Sequence, residues 1–244
     1  MIFGELQKVD ILAIGVHPDD IELSCSGTLL NQINKGYTVG LLDLTQGELG
    51  TRGNAEIRRK EAFDAAQLMG AKFRVILKNQ DGFINFNEET SISIIEIIRA
   101  STPKIVFANA KSDRHPDHGR AAKITADAAF LAGLEKIETN YEGVKQEKWR
   151  PNAVYHYLQD YTMEADFAVD ITPFFDKKLD LIYCFSSQFD ASEQNGPKTP
   201  ISGKDFLDYI QAKNILFGRL AGYKYAEAYQ VNRLIGVNDI FKLD

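Results

Sequence analysis

Cysteine is nearly missing from this chain: Cys25 and Cys184 are the only two in 244 residues, far apart and outside any Cys-x-x-Cys pattern. That spacing offers neither a disulfide framework nor a thiolate zinc site, and a reducing cytoplasm is the expected setting. No stretch reaches the roughly 20 apolar residues of a membrane span. Met1 to Asp10 carries Glu5, Lys8 and Asp10 instead of a basic segment followed by an apolar one. We therefore expect a cytoplasmic protein with no membrane partner. Positive charge is also short. A formal net charge of -6 and a pI near 5.3 disfavour a nucleic-acid partner, whose phosphates the average surface would repel. Nucleotide-binding glycines are absent too: no Gly-x-Gly-x-x-Gly follows the first apolar run, and Gly47, Gly50 and Gly53 lack dinucleotide or P-loop spacing. NAD binding, and a non-catalytic nucleotide-binding module with it, is disfavoured. A small-molecule enzyme fits better.

What the chain does have is an alternation of short apolar runs with amphipathic stretches. Val9 to Val16, Tyr37 to Leu44, Phe73 to Leu77 and Ile105 to Ala108 read as strands buried on both faces. The intervening Ile21 to Lys35, Asn54 to Met69, Glu89 to Ser101 and His118 to Leu131 read as helices, three of them closed by Gly36, Gly70 and Gly133, the other by Pro103. Such alternation predicts an α/β fold: a Rossmann-like, doubly wound, mostly parallel sheet with helices on both faces. Residues 139 to 150 read as a polar loop, followed by strands at Ala153 to Leu158 and Phe167 to Ile171 and helices at Pro173 to Cys184 and Gly203 to Leu220. We expect one domain over 1–244, with a Rossmann-like core in 1–135 and a C-terminal extension in 139–244 that completes it.

Three of the four histidines sit in two tetrapeptides that follow predicted strands, His17-Pro18-Asp19-Asp20 and His115-Pro116-Asp117-His118. In doubly wound sheets ligands gather outside the carboxyl ends of the strands, where both would lie. A catalytic zinc takes three nitrogen or oxygen ligands and keeps a position open for water. His17, Asp20 and one histidine of the second cluster supply that set. Pro18 suits a first helical turn, which would bring His17 and Asp20 onto one ion and leave Asp19 free as general base. Zinc lowers the pKa of its water toward about 7, and the oxyanion formed by attack on a carbonyl needs further donors. A protonated His115, oriented by Asp117 or Asp113, suits that task. A lone His-Pro-Asp is usually a turn; two at neighbouring strand ends make a site.

Val16-His17-Pro18-Asp19-Asp20, with Glu22 following, and His115-Pro116-Asp117-His118 resemble the signatures of the LmbE-like (PIG-L) zinc-dependent N-deacetylases, Val16 standing where Ala is usual. The resemblance implies one zinc per chain on His17, Asp20 and His118, with Asp19 as base and His115 as its acid or electrophilic partner. It also implies an amino-sugar substrate and a homo-oligomer, trimeric or hexameric. Thr45 to Gly53, Glu56 to Ala62, Ser187-Gln188-Phe189 and Lys198-Thr199-Pro200 resemble the bacillithiol-biosynthesis branch, which deacetylates N-acetylglucosaminyl malate. Where some family members carry a C-terminal tyrosine, the aligned position here carries Phe206, with Tyr209 close by.

A substrate carrying malate calls for fixed cations, and arginine forks bind carboxylates best. Arg58, matching a substrate-contacting helix arginine of the family, and Arg52, in a glycine-rich loop, are the expected substrate-binding residues; Lys198 and Arg114 rank behind them. His156 reads as a packed core residue. An inositol glycoside or oligosaccharide is the alternative substrate, and a phosphoesterase would need two metals about 3.5–4 Å apart. The same donors accept Fe2+, Co2+ or Mn2+. Tyr223 to Tyr229 is aromatic enough for an interface or for internal packing.

Overall fold

The computed structural model describes residues 1–189 and 197–242. In chain order its elements are β1 (Ile2–Gly4), β2 (Ile11–Gly15), α1 (Asp20–Ser24), α2 (Ser26–Asn34), β3 (Val39–Thr45), α3 (Ala55–Met69), β4 (Phe73–Asn79), α4 (Glu88–Ser101), β5 (Ile105–Ala108) and α5 (Pro116–Leu131). A short hairpin, β6 (Asn140–Tyr141) and β7 (Val144–Lys145), leads to β8 (Ala153–Tyr157), β9 (Phe167–Asp170), α6 (Phe175–Tyr183), α7 (Ser186–Phe189), α8 (Lys204–Ala221) and β10 (Ala226–Val231).

One eight-stranded sheet runs through both halves in the order β1-β4-β3-β2-β5-β8-β10-β9. The stretch β4-β3-β2-β5-β8 is parallel throughout. From β2 the chain moves one way through β3 to β4, then returns to β5 on the other side of β2. The gap between the carboxyl ends of β2 and β5 is therefore a topological switch point, where a crevice opens. Alternation along β2 decides the two cores. Leu12 and Ile14 pack with Ile94, Ile98 and Ile124 of α4 and α5, while Ile11 and Ala13 pack with Leu29, Met69 and Leu181 from the opposite layer. The expected α/β arrangement, with helices on both faces, is thus the one adopted.

Several elements differ from the sequence expectation, each for a tertiary reason. Ile21 to Lys35 is two helices, broken at Cys25. Lys178 Nζ donates to the carbonyls of Glu22 and Leu23 at 3.0 and 2.8 Å, and Glu227 accepts the N–H groups of Gly27 and Thr28 at the start of α2. Side chains more than 150 residues away in the chain end one helix and cap the next. Tyr223 to Tyr229 packs internally: β10 lies between β8 and β9, antiparallel to both, with Ala226, Ala228 and Tyr229 buried. The edge strand β1 and the hairpin inside 139–150 have no clear sequence pattern, being only two or three residues long.

Beneath the crevice lies a dry ion cluster. Arg74 donates to Asp43 at 2.6 and 2.8 Å and to Glu22 at 2.6 Å, with all three side chains fully buried. Burial pushes both carboxyl pKa values up, and Arg74 is what keeps the acids ionised. Arg74→Met leaves two uncompensated buried acids and is expected to cost about 3–5 kcal/mol. Urea unfolding checks this, and a loss below about 1 kcal/mol would contradict it.

Candidate metal and active site

The first cluster does not start a helix at Pro18. β2 ends at Gly15, and a tight turn follows in which Asp20 N donates to His17 O at 3.3 Å; α1 begins at Asp20. The turn is pinned from inside, because Asp20 Oδ2 accepts the backbone N–H groups of Val16 and His17 at 3.0 and 2.9 Å. Asp19 takes φ 120°, a conformation rarely held by a side-chain-bearing residue and one that costs about 1–3 kcal/mol. It is the N-cap of α1 but makes no side-chain cap bond. Its carboxylate is instead bound by Arg58 Nη2 at 2.9 Å.

The second cluster follows β5. Pro116 opens α5, and His115 caps it by accepting the Asp117 N–H on Nδ1 at 3.2 Å. His118 therefore lies in the first turn, pointing back toward β2. His17, His115 and His118 each offer a ring nitrogen, all within 4.8 Å of one another.

The tethers on each ring determine which nitrogen is free. His17 Nε2 is held by Asp81 Oδ1 at 3.0 Å, leaving Nδ1 toward Asp20 Oδ2 at 3.7 Å. His118 Nδ1 is held by Asp113 Oδ2 at 2.5 Å, leaving Nε2 toward Asp20 Oδ1 at 3.2 Å. A carboxylate behind each imidazole and a third carboxylate between their free nitrogens is the arrangement of a metal site with its supporting shell. Among the described residues, ligand atoms also lie within 4.8 Å of one another in His17, Asp81 and Asp117, and Asp20, at 3.7 Å from His17 Nδ1 and 3.2 Å from His118 Nε2, is the carboxylate that could share an ion with those two rings. His115 differs: its Nδ1 is an acceptor, so the proton of the neutral ring sits on Nε2 and that nitrogen has no lone pair for a metal.

Burial alone would lower the pKa of His17 and His118, but Asp20 with Asp81 and Asp113 outweighs it, raising them to about 10 and about 9. Burial would likewise raise Asp20, yet His118 and His17 hold it well below the usual range. Asp19 goes up to about 7, through burial against the opposing pull of Arg58. His115 is lowered by burial and by its two histidine neighbours.

These groups line a cavity of about 380 Å³ that also includes Leu49, Arg114, Gln159, Tyr209 and Lys213. Four expectations need correcting here. Asp117 does not orient His115 through its carboxylate, which binds Arg120 at 3.0 Å and faces His17 Nε2 at 3.9 Å; Asp113 serves His118. His115 is placed against the expected protonated form: its Nδ1 accepts the Asp117 backbone N–H, and burial lowers its pKa. Arg58 lines the cavity as expected, but its terminal nitrogens bind Asp19, Pro18 O and Gly47 O at 3.2 Å, and its Nε is the buried donor left without a partner. Arg52 lies outside the cavity lining, buried and clamped to Gln188, whose Nε2 donates to Arg52 O at 2.7 Å. Sequence reasoning missed Asp81, Asn109 and Gln159. Asp81 and Asn109 each follow a parallel strand, β4 and β5, at the crevice edge, which was the available signal. His156 is buried against Asn109 O, as expected of a core histidine. Phe206 and Tyr209 both line the cavity, the Tyr209 hydroxyl donating to Asp160 O.

The PIG-L profile, described as GlcNAc-PI de-N-acetylase, matches residues 12–129, the segment that carries both clusters. The solved structure of a conserved protein from Thermus thermophilus is 31% identical, covers 94% of this chain and 98% of its own, and superposes with a TM-score of 0.82. The chain belongs to the PIG-L family. A diacetylchitobiose deacetylase of Thermococcus kodakarensis is 27% identical over 92% of this chain and 83% of its own length. A 4-carboxy-2-hydroxymuconate hydratase of Pseudomonas putida shares the fold at TM-score 0.76 and 20% identity, covering 94% of this chain and 98% of its own. The fold by itself therefore does not name the reaction, which has to be argued from the site.

Because unfolded histidines titrate near 6.5, the raised pKa values of His17 and His118 stabilise the metal-free fold fully below that pH, and the contribution is lost as pH rises through about 9 and about 10. The melting temperature of chelator-treated protein is expected to fall across that window, and added zinc, replacing the protons, to flatten the fall. A metal-free Tm that is flat from pH 6.5 to 10 would contradict the acidic cage described here.

Proposed function

We propose that the chain is a metal-dependent deacetylase of N-acetylglucosamine-type sugars, in which His17, Asp20 and His118 hold one zinc ion and Asp19 is the general base. The observation that carries this reading is the split between two adjacent carboxylates: Asp20 lies between the free nitrogens of His17 and His118, while Asp19 is turned to Arg58 with its pKa raised to about 7. A base poised near neutral pH is what proton abstraction requires. Zinc supplies Lewis acidity toward the amide carbonyl and a lowered pKa for water. Fe2+, Co2+ or Mn2+ suit the same donors.

Asp19 takes the proton of the attacking water while Arg58 fixes the carboxylate and favours its ionised form. His115, with its proton on Nε2, offers a neutral donor to the carbonyl oxygen as charge develops there. As the C–N bond breaks, Asp19 passes that proton on to the leaving nitrogen, which gives acetate and the free amino sugar.

Among substrates, the resemblance of Thr45 to Gly53 and of the 187–189 and 198–200 segments to the bacillithiol branch supports N-acetylglucosaminyl malate. With Arg58 engaged, the malate carboxylates would meet Arg114 at the cavity wall, held to Asp160 through Nε at 2.7 Å. The deacetylase relative matched over 92% of the chain favours a second reading, a chitobiose-type oligosaccharide.

Acetate release from N-acetylglucosaminyl malate, diacetylchitobiose and an N-acetylglucosaminyl inositol separates these readings. The malate conjugate is expected to be turned over fastest; preference for diacetylchitobiose selects the second reading, and release from none of them overturns both. Asp19→Asn is expected to keep its zinc and lose about 1000-fold or more in kcat, since base catalysis contributes about 10²–10⁴. Arg58→Met removes the cation that pulls the Asp19 pKa down, so the acidic limb of the kcat/KM profile is expected to move to higher pH. A limb that stays in place would remove Arg58 from this role.

A further inference from the structure

Gln159, at the end of β8, touches the metal-binding group without being one of its expected ligands. The orientation of its carboxamide follows from its partners: Oε1 accepts from the Ala110 backbone N–H at 3.1 Å and from Asn109 Nδ2 at 3.0 Å, so Nε2 is the atom that faces the site. There it donates to Asp20 Oδ1 at 3.1 Å and lies 3.4 Å from His118 Nε2. Asn109 completes the clamp by donating to Asp20 Oδ2 at 2.9 Å.

The two oxygens of Asp20 are thereby made unequal. Oδ2 already accepts three N–H groups, from Val16, His17 and Asn109, whereas Oδ1 accepts a single amide N–H, from Gln159, and otherwise faces His118 Nε2 at 3.2 Å, the contact an ion would replace. Oδ1 is the oxygen with capacity left for a cation, and it is the one that faces His118. The side chain that fixes it is a neutral amide, 6% exposed, in the cavity wall. A carboxylate in the same place would lie within reach of any ion shared by Asp20 and His118 and would add a ligand. An amide N–H, having no lone pair to give, cannot.

We propose that Gln159 is a positioning residue that selects Asp20 Oδ1 as the ligand atom and keeps the adjoining coordination position open. The inference rests on the metal-dependent reading above but concerns how the ion is held, not what is hydrolysed. Two substitutions test it in opposite directions. Gln159→Glu keeps the shape and the acceptor for Asn109 and Ala110 while replacing only the inward N–H by a charged oxygen. Gln159→Met removes the donor without adding charge.

Metal-stripped proteins are titrated with Zn2+ against a chromogenic chelator, without substrate, and the Co2+-loaded forms are compared by visible absorption. Gln159→Glu is expected to bind Zn2+ about tenfold or more tightly, to weaken the Co2+ bands as a ligand is added, and to lose about 100-fold in kcat. Gln159→Met is expected to bind Zn2+ about 10–100-fold more weakly, the usual cost of removing a supporting hydrogen bond. Equal or weaker Zn2+ binding by Gln159→Glu, or a shift of both variants in the same direction, overturns the proposal. If Gln159→Glu does not fold, Zn2+ affinity of Gln159→Met equal to that of the parent chain overturns it alone. A parent chain that binds Zn2+ yet releases no acetate would end the deacetylase reading and leave this inference standing.

Discussion

The carboxylate of Asp20 is the point through which the rest of the site is held together. It pins the turn after β2 by taking two backbone N–H groups, separates the free nitrogens of His17 and His118, and receives amide donors from the ends of β5 and β8. Three strands of the sheet converge on one functional group. Because that turn is fixed, Asp19 is forced into its positive-φ conformation, and the same strain keeps its carboxylate from capping α1. Asp19 and Asp20, the proposed base and ligand, are neighbours in the chain that face different partners, and the backbone geometry is what divides them.

Charge accounting explains the shell around this group. Asp19, Asp20, Asp81 and Asp117 are buried together, with Asp113 beside them. Arg58 answers Asp19, Arg120 answers Asp117, and the histidines answer Asp20, Asp81 and Asp113 only while they are protonated. Such a cage is arranged to receive positive charge, which is the physical basis for assigning it a metal. Deeper still, Arg74 neutralises Glu22 and Asp43, so that α1 and β3 stay packed under the crevice. Lys178 and Glu227 do the same for the break between α1 and α2, tying the C-terminal strands to the first motif.

Much of this was legible in the chain. Apolar runs alternating with helical periods specified the parallel core, because burial on both faces leaves a strand no polar side to display. The two histidine tetrapeptides were legible because each follows such a run. What was not legible depended on partners distant in sequence. The pattern of Arg58 fits a surface-facing helix start equally well, and only the placement of α3 against the His17 turn directs its fork inward to Asp19. Arg52 reads as a mobile loop cation until Gln188 is seen to hold it.

By itself, then, the sequence determined the α/β class, the strand ends at which chemistry sits, and the histidine and carboxylate donor types of the two clusters, since these follow from local periodicity and residue chemistry, whereas the choice of His118 over His115 came from the family resemblance alone. Tertiary structure alone decided which nitrogen each imidazole offers, that His115 Nδ1 is taken by a backbone N–H, and that Gln159 and Asn109 hold Asp20. The physical reason is that tautomer, ligand atom and pKa are set by the group on the far side of each side chain. For His17, Asp19 and Asp20 that group comes from a different strand or helix, through Asp81, Arg58 and the Asn109–Gln159 pair.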